Sequence, residues 1–275
     1  MNTLRLGVSS HLYCLPLTRY LKQGAFNLSV DSTSQNAIRM RHRDLDVAFL
    51  TPIDYARESS DYRILPGMAV SSRVPNNTVI LAFKEGLHTI STLAVQPTST
   101  SEVILASILL GERFDTRPTI VPTLGSLEHM MHSADAALLV GNEAARLGPG
   151  HPNKLDLVEE WVDMSDLPYV HGFWCTRETT LSKDGVVELQ RACDQGVEML
   201  EEIAVEAASS SQGSAREIQQ YLESFSYAFG DEEEQALVEF LRYAYYHGVL
   251  PDVADINFYP PNTEDDSQPS PPSLN

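Results

Sequence analysis

Basic residues are scarce in this chain. Nineteen lysines and arginines stand against 38 aspartates and glutamates, a formal net charge of -19 over 275 residues. Nucleic acids and anionic membranes are bound through basic surface, so neither is an expected partner. A small anionic ligand would have to be held by local donors, because the overall field repels it. Cysteines are also few: Cys14, Cys175 and Cys193, an odd number and widely spaced. They offer neither a disulfide framework nor a zinc site and fit free thiols in a reducing compartment, so a cytoplasmic location is expected. No apolar stretch approaches the roughly 18 residues of a membrane span, and the first residues lack the basic-then-apolar order of a signal peptide. Phosphate-loop, Gly-x-Gly-x-x-Gly, zinc and Gly-x-Ser-x-Gly patterns are missing as well. Of the eight histidines, His129 and His132 have ligand spacing but no obvious third ligand, so no metal is expected.

What is present is an ordinary globular composition, 43% hydrophobic and 21% charged. The length allows a real core in one or two domains. Read in order, short apolar runs alternate with helix-compatible segments. Leu4 to Val8, Phe26 to Val30 and Leu45 to Leu50 read as strands, each followed by a helix with a Pro or Ser start signal. Tyr62 to Leu65, Met68 to Ser72 and Thr78 to Phe83 read as further strands, and Thr119 to Val121, Ala136 to Val140 and Tyr169 to Thr176 continue the series. Leu155 to Val162 reads as helical, Val186 to Ala208 as one long amphipathic helix, and 262–275, rich in Pro, Ser, Asp and Glu, as a disordered tail. Strand-helix alternation of this kind signals parallel α/β sheets.

The central stretch is Leu93 to Gly111. A short strand runs into four hydroxyl residues, Thr98, Ser99, Thr100 and Ser101, and then into an apolar helix that Gly111 is expected to stop. Ser99 and Glu102 have capping-box spacing. The hydroxyls can simply cap the helix, or they can join its free N–H groups and its dipole in holding an anion. An internal echo supports a two-lobed design. Asp46-Val47-Ala48-Phe49-Leu50 is followed by Asp54 and Ala56, and Asp135-Ala136-Ala137-Leu138-Leu139 is followed at the same offsets by Glu143 and Ala145. Similar buried strands also arise by chance, but two lobes would place a ligand in the cleft between them. His11 and Tyr13 fall in the first strand-to-helix loop, where α/β proteins place ligands. Thr51 and Asn142 fall at the ends of the two echoed strands, where they serve either as caps or as ligand contacts.

Taken together, several motifs resemble the MqnA/MqnD family of menaquinone biosynthesis, the futalosine route, and within it the chorismate dehydratase branch. The resemblance covers about Leu4 to Tyr259. It is carried by Leu6-Gly7 with Pro16-Leu17, by Leu45 through Tyr55, and by Tyr62-Arg63-Ile64-Leu65-Pro66-Gly67. Thr98 to Ser101, Leu138 to Asn142, and Leu155 through Glu160-Trp161 to Leu167-Pro168-Tyr169-Val170 and Trp174 carry it further.

The resemblance implies an α/β chain with a two-lobed fold like that of type II periplasmic binding proteins. Lobe 1 would span 1–88 and 178–261, lobe 2 would span 89–177, and the site would lie in the inter-lobe cleft. It implies a lyase that removes water from chorismate without a cofactor. His11, Tyr13 and Thr78 would act on the substrate; Thr51, Thr98, Ser99, Thr100, Ser101 and Asn142 would bind it. A binding protein for small carboxylates and an MqnD-type enzyme are the alternatives.

The chain departs from the family pattern at the site. His11-Leu12-Tyr13 stands where the family has Tyr-Leu-Asn, and Thr78 takes a serine position. Thr98 to Ser101 lacks the arginine of Ser-Arg-Thr-Ser, and Asn142 replaces an aspartate.

Overall fold

The computed structural model describes residues 3–85, 89–98, 100–147, 150–177, 181–209 and 213–259. The strands are β1 Leu4–Ser9, β2 Phe26–Asp31, β3 Val47–Leu50, β4 Tyr62–Ser72, β5 Val79–Phe83, β6 Thr92–Val95, β7 Thr119–Pro122, β8 Ala136–Val140, β9 Lys154–Asp156 and β10 Tyr169–Arg177. The helices are α1 Leu15–Thr18, α2 Thr33–Arg41, α3 Pro52–Ala56, α4 Thr100–Phe114, α5 Leu127–Ser133, α6 Asn142–Leu147, α7 Leu157–Ser165, α8 Lys183–Glu198, α9 Leu200–Ala208, α10 Ala215–Glu223 and α11 Asp231–Tyr246.

The strands form two five-stranded sheets, ordered β2-β1-β3-β10-β4 and β7-β6-β8-β5-β9. Each has three parallel strands joined to an antiparallel pair. The register matches between the two: Leu6 lies beside Val47 in one, and Leu93 beside Ala136 in the other. The repeated aspartates do equivalent work. Asp46 accepts from the Arg5 backbone N–H at 2.8 Å, and Asp135 accepts from Ser91 and Thr92 N–H at 3.0 Å. Each carboxylate therefore clamps the start of the strand next to its own. The Arg5 guanidinium, which also donates to Asp46, is the main influence holding that carboxyl below the usual range, and the Ser91 and Thr92 donors do the same for Asp135.

The expected lobe limits need correction. Val79–Phe83 pairs with β8 and β9 in the second sheet, and Tyr169–Arg177 pairs with β3 and β4 in the first. The chain thus crosses between Ser72 and Val79 and returns between Asp156 and Tyr169, well before 88 and 177. Both segments are apolar and buried on both faces, which leaves their sheet partner open from sequence alone.

Other expectations change too. Tyr62–Ser72 is one continuous strand. Lys154–Asp156 is a strand, and its Asp156 then caps α7 by accepting from Val158 and Glu159 N–H. The long C-terminal helix is broken at Met199 into α8 and α9. Helix α4 runs past Gly111 to Phe114 and ends where Asp115 takes a left-handed φ of 48°. Residues 260–275, and with them the expected tail, lie outside the described residues.

The C-terminal helices bind the halves together. Helix α11 opens with Asp231-Glu232-Glu233-Glu234, which suits the positive end of its dipole. Its Phe240 lies 5.7 Å from the Trp161 ring of α7 and 5.8 Å from the Tyr169 ring of β10. Trp161, Tyr169 and Phe240 are all buried, and each such side chain contributes about 1.5–3 kcal/mol. Helix α8 closes on α1 so tightly that a β-carbon at Gly196 would meet the Pro16 carbonyl oxygen at 1.9 Å. Among the described residues no helix is long and apolar enough to cross a membrane.

Candidate active site at the lobe junction

The matched register puts four loops at one place. Those after β1 and β3 come from the first sheet, and those after β6 and β8 from the second. They meet crosswise. Asn142, after β8, accepts from Leu12 N–H at 2.9 Å through Oδ1 and donates to the Ser10 carbonyl at 3.2 Å through Nδ2. Ser101, after β6, accepts from the Ile53 N–H of α3 at 3.0 Å. A helix end in one lobe is thereby satisfied by a side chain of the other. Two of the expected ligand contacts, Asn142 and Ser101, therefore serve in this structure as fasteners between lobes.

The remaining expected residues divide. His11 lies in this junction, half-buried, with its ring stacked on Tyr13 at 5.0 Å. It sits against Gly141, whose φ of 59° suits glycine; a β-carbon there would come within 2.0 Å of His11 Nδ1. Burial carries the His11 imidazole down to about 4, so it is neutral at pH 7. Tyr13 is fully buried, 5.4 Å from the His171 ring and 5.3 Å from Phe225. Burial raises its phenol well above the ordinary value. Thr78, in the crossover to the second sheet, is buried and donates to the Tyr221 hydroxyl at 3.3 Å.

Thr51 turns inward. It is buried and donates to Asp54 of its own helix at 2.8 Å. Thr98 is exposed and Thr100 half-buried. Ser99, and so the expected Ser99–Glu102 capping box, lies outside the described residues.

Four residues that the sequence reading passed over complete the junction. Ser72 Oγ lies 2.7 Å from His171 Nε2. Tyr169 stands edge-on to His171 at 4.9 Å. Burial pushes His171 down to about 3. Glu102, taken above only as a capping residue, is 3% exposed. Burial, with the like charge of Asp54 as a smaller influence in the same direction, carries its carboxyl up to about 7 against the pull of its own backbone amide. The available signal was a polar residue at the edge of an apolar run or inside one, Glu102 before Val103-Ile104-Leu105 and His171 between Val170 and Trp174. Among the described residues, no group of three or more metal-ligating side chains is placed to hold an ion.

Two lobes of matched topology with loops converging on a junction define the fold of periplasmic binding proteins, here as a class of architecture. Solved structures agree. Protein AF1704 from Archaeoglobus fulgidus superposes with a TM-score of 0.72 at 18% identity, covering 90% of this chain and 98% of that one. The periplasmic aliphatic sulphonate binding protein SsuA from Escherichia coli gives 0.64 at 16% identity, covering 100% and 97%. The alkanesulfonate-binding protein SsuA from Xanthomonas axonopodis pv. citri, bound to MOPS, gives 0.64 at 14%, covering 92% and 96%. At such identities the likeness concerns the fold. The sequence itself goes further: residues 4–246 match the family described as menaquinone biosynthesis, and the chain belongs to that family.

Proposed function

We propose that the protein is a cytoplasmic lyase of the chorismate dehydratase type, converting chorismate to 3-[(1-carboxyvinyl)oxy]benzoate and water. What supports this reading is membership of the menaquinone biosynthesis family, together with His11 and Tyr13 stacked in the loop after β1, where Asn142 of the other lobe fastens. The reaction asks little of side chains, because the product ring is aromatic and a carboxylate of the substrate can take the proton itself. The protein has to position the substrate and exclude water.

Thr98, Thr100 and Ser101 would hold one carboxylate at the start of α4, with Ser101 releasing Ile53 as the lobes part to admit substrate. Thr78 and Tyr13 would face the other end. His11, neutral at pH 7, is an additional proton acceptor. No cofactor is required. Incubating the purified protein with chorismate and following the carboxyvinyl-oxybenzoate by mass spectrometry tests this; no turnover at high protein concentration contradicts it.

A second reading, a carboxylate-binding protein without catalysis, is favoured by Tyr13 standing where the family has asparagine. Thermal-shift screening of small carboxylates, with mass spectrometry of each hit, separates the two.

A further inference from the structure

A second place where charged and aromatic side chains surround a space lies away from the lobe junction. Helix α4 begins at the junction with Thr100 and runs for 15 residues to Phe114, so its far end is about 20 Å away. There the C-terminal segment closes on it. His247, just past α11, has its Nε2 2.9 Å from Glu112 Oε1, and a β-carbon at Gly111 would lie 3.1 Å from the same imidazole. Between the two segments is a cavity of about 310 Å³ lined by Ser107, Glu112, Arg117, Pro118, Tyr246 and His247. That is the small end of the range for ligand pockets.

Arg117 has no hydrogen-bond or ion-pair partner among the described residues, so its guanidinium keeps all of its N–H donors free. Its backbone is fixed on both sides. Asp115 turns left-handed at a φ of 48°, Thr116 N–H donates to the Leu110 carbonyl at 2.8 Å, and Thr119 N–H donates to the Ser91 carbonyl at 2.9 Å. The carbonyl end of α4 favours a cation at this position, which keeps the arginine in the wall without occupying its donors. Across the cavity Tyr246 is 71% exposed, with the Tyr245 ring 5.6 Å away. The Ser107 hydroxyl is already given to the Val103 carbonyl at 2.8 Å.

A free guanidinium and an exposed ring decide the class of ligand. The guanidinium matches a carboxylate, which it can hold through two parallel N–H donors. A doubly charged phosphate would keep a net negative charge beside Glu112, which shares the wall. The Tyr246 ring and Pro118 suit a flat apolar body. We propose that this cavity binds an aromatic monocarboxylate, with its carboxylate on Arg117 and its ring against Tyr246. Bound there, the ligand bridges α4 of the second lobe and the end of α11. The start of α11 is fastened to the first lobe, where Ser71 Oγ donates to Glu233 at 3.0 Å. The site is separate from the lobe junction and holds whatever reaction takes place there.

Fluorine NMR titration of the whole protein tests the site, with 4-fluorobenzoate as one probe and 4-fluorobenzamide, the same ring without the charge, as the other. The wild type is expected to bind the benzoate about 10-fold more tightly than the benzamide. Arg117→Gln should weaken benzoate binding by about 10-fold and Tyr246→Ala by about 5-fold. Both side chains are exposed, so both variants should unfold at the wild-type temperature. Thr100→Val, which alters the junction, should leave binding in this cavity unchanged. If the junction also takes the benzoate, the wild type shows two binding events, of which Arg117→Gln weakens one and Thr100→Val the other, and the site stands. No binding, equal binding of the two probes, or unchanged binding in Arg117→Gln or Tyr246→Ala overturns the site. Binding lost in Thr100→Val and kept in Arg117→Gln puts the ligand at the junction and overturns it too.

Discussion

The segments Asp46 to Ala56 and Asp135 to Ala145 are the same device used twice. In each, an aspartate clamps the neighbouring strand, a buried strand follows, and a helix starts at the lobe junction. They differ in how they reach across. The second sends the Asn142 side chain to the backbone of the partner loop, whereas the first offers its own backbone N–H, that of Ile53, to the partner's Ser101. Thr51, the hydroxyl in the first copy, stays within its own lobe on Asp54. A repeated fold thus fixes where loops meet, while the side chains at the ends of the strands decide which contacts cross.

The largest effect is expected where the second copy is tightest. Gly141→Ala forces a left-handed backbone on a residue with a β-carbon and drives the His11 ring off Tyr13. Strain and overpacking together should cost about 4 kcal/mol. Replacing Pro52, which precedes Ile53 in the first copy, by alanine should cost under about 1 kcal/mol. Urea unfolding of both variants checks the asymmetry.

Next comes the contrast between two acidic residues in the first turns of junction helices, buried Glu102 and exposed Glu143. The Glu102 carboxyl is raised from 4.5 to about 7 by folding. The folded state therefore holds its proton more tightly. The associated stability is fully present below about pH 4.5 and is lost as pH rises through about 7. The loss amounts to roughly 3 kcal/mol. Glu102→Gln should flatten that part of the stability-pH curve and make the protein more stable than wild type at pH 8. Glu143→Gln, at an exposed position, should change stability by under about 0.5 kcal/mol.

Smaller effects separate the cross-lobe contact from the internal one. Asn142→Ala removes two hydrogen bonds between lobes and should cost about 2 kcal/mol. It should also increase the radius of gyration measured by small-angle scattering. Thr51→Val, which deprives buried Asp54 of its donor, should cost about 1.5 kcal/mol with no change in scattering. Equal expansion in both would erase the distinction between the copies.

Much of the frame is legible in the sequence. The echo of Asp46 and Asp135 foretells two lobes, and His11, Tyr13 and Asn142 all reach the junction. What is hidden depends on partners far along the chain. The β-type run Val79–Phe83 says that it is buried but not in which sheet, and the same holds for Tyr169–Arg177. Gly111 fails as a stop because α4 is held beyond it by packing: Glu112 lies 2.9 Å from His247 Nε2 of the segment after α11. Ser101 and Asn142 look like ligand contacts because a polar side chain at a strand end suits either a ligand or a neighbouring lobe. His171 escaped notice because it lies in an apolar segment with no motif spacing, and Glu102 because its spacing from Ser99 assigns it to a helix cap and hides that it is buried.

The hydroxyl row at the start of α4 is where these lines meet, and calorimetry with 3-[(1-carboxyvinyl)oxy]benzoate tests it most directly. Thr100→Val removes one hydroxyl from that row, and Thr51→Val removes one that serves only its own helix. The account predicts that Thr100→Val binds about 10-fold more weakly than the parent, while Thr51→Val binds as the parent does. Parent-like affinity in Thr100→Val, or an equal loss in both, would contradict a carboxylate site at the lobe junction.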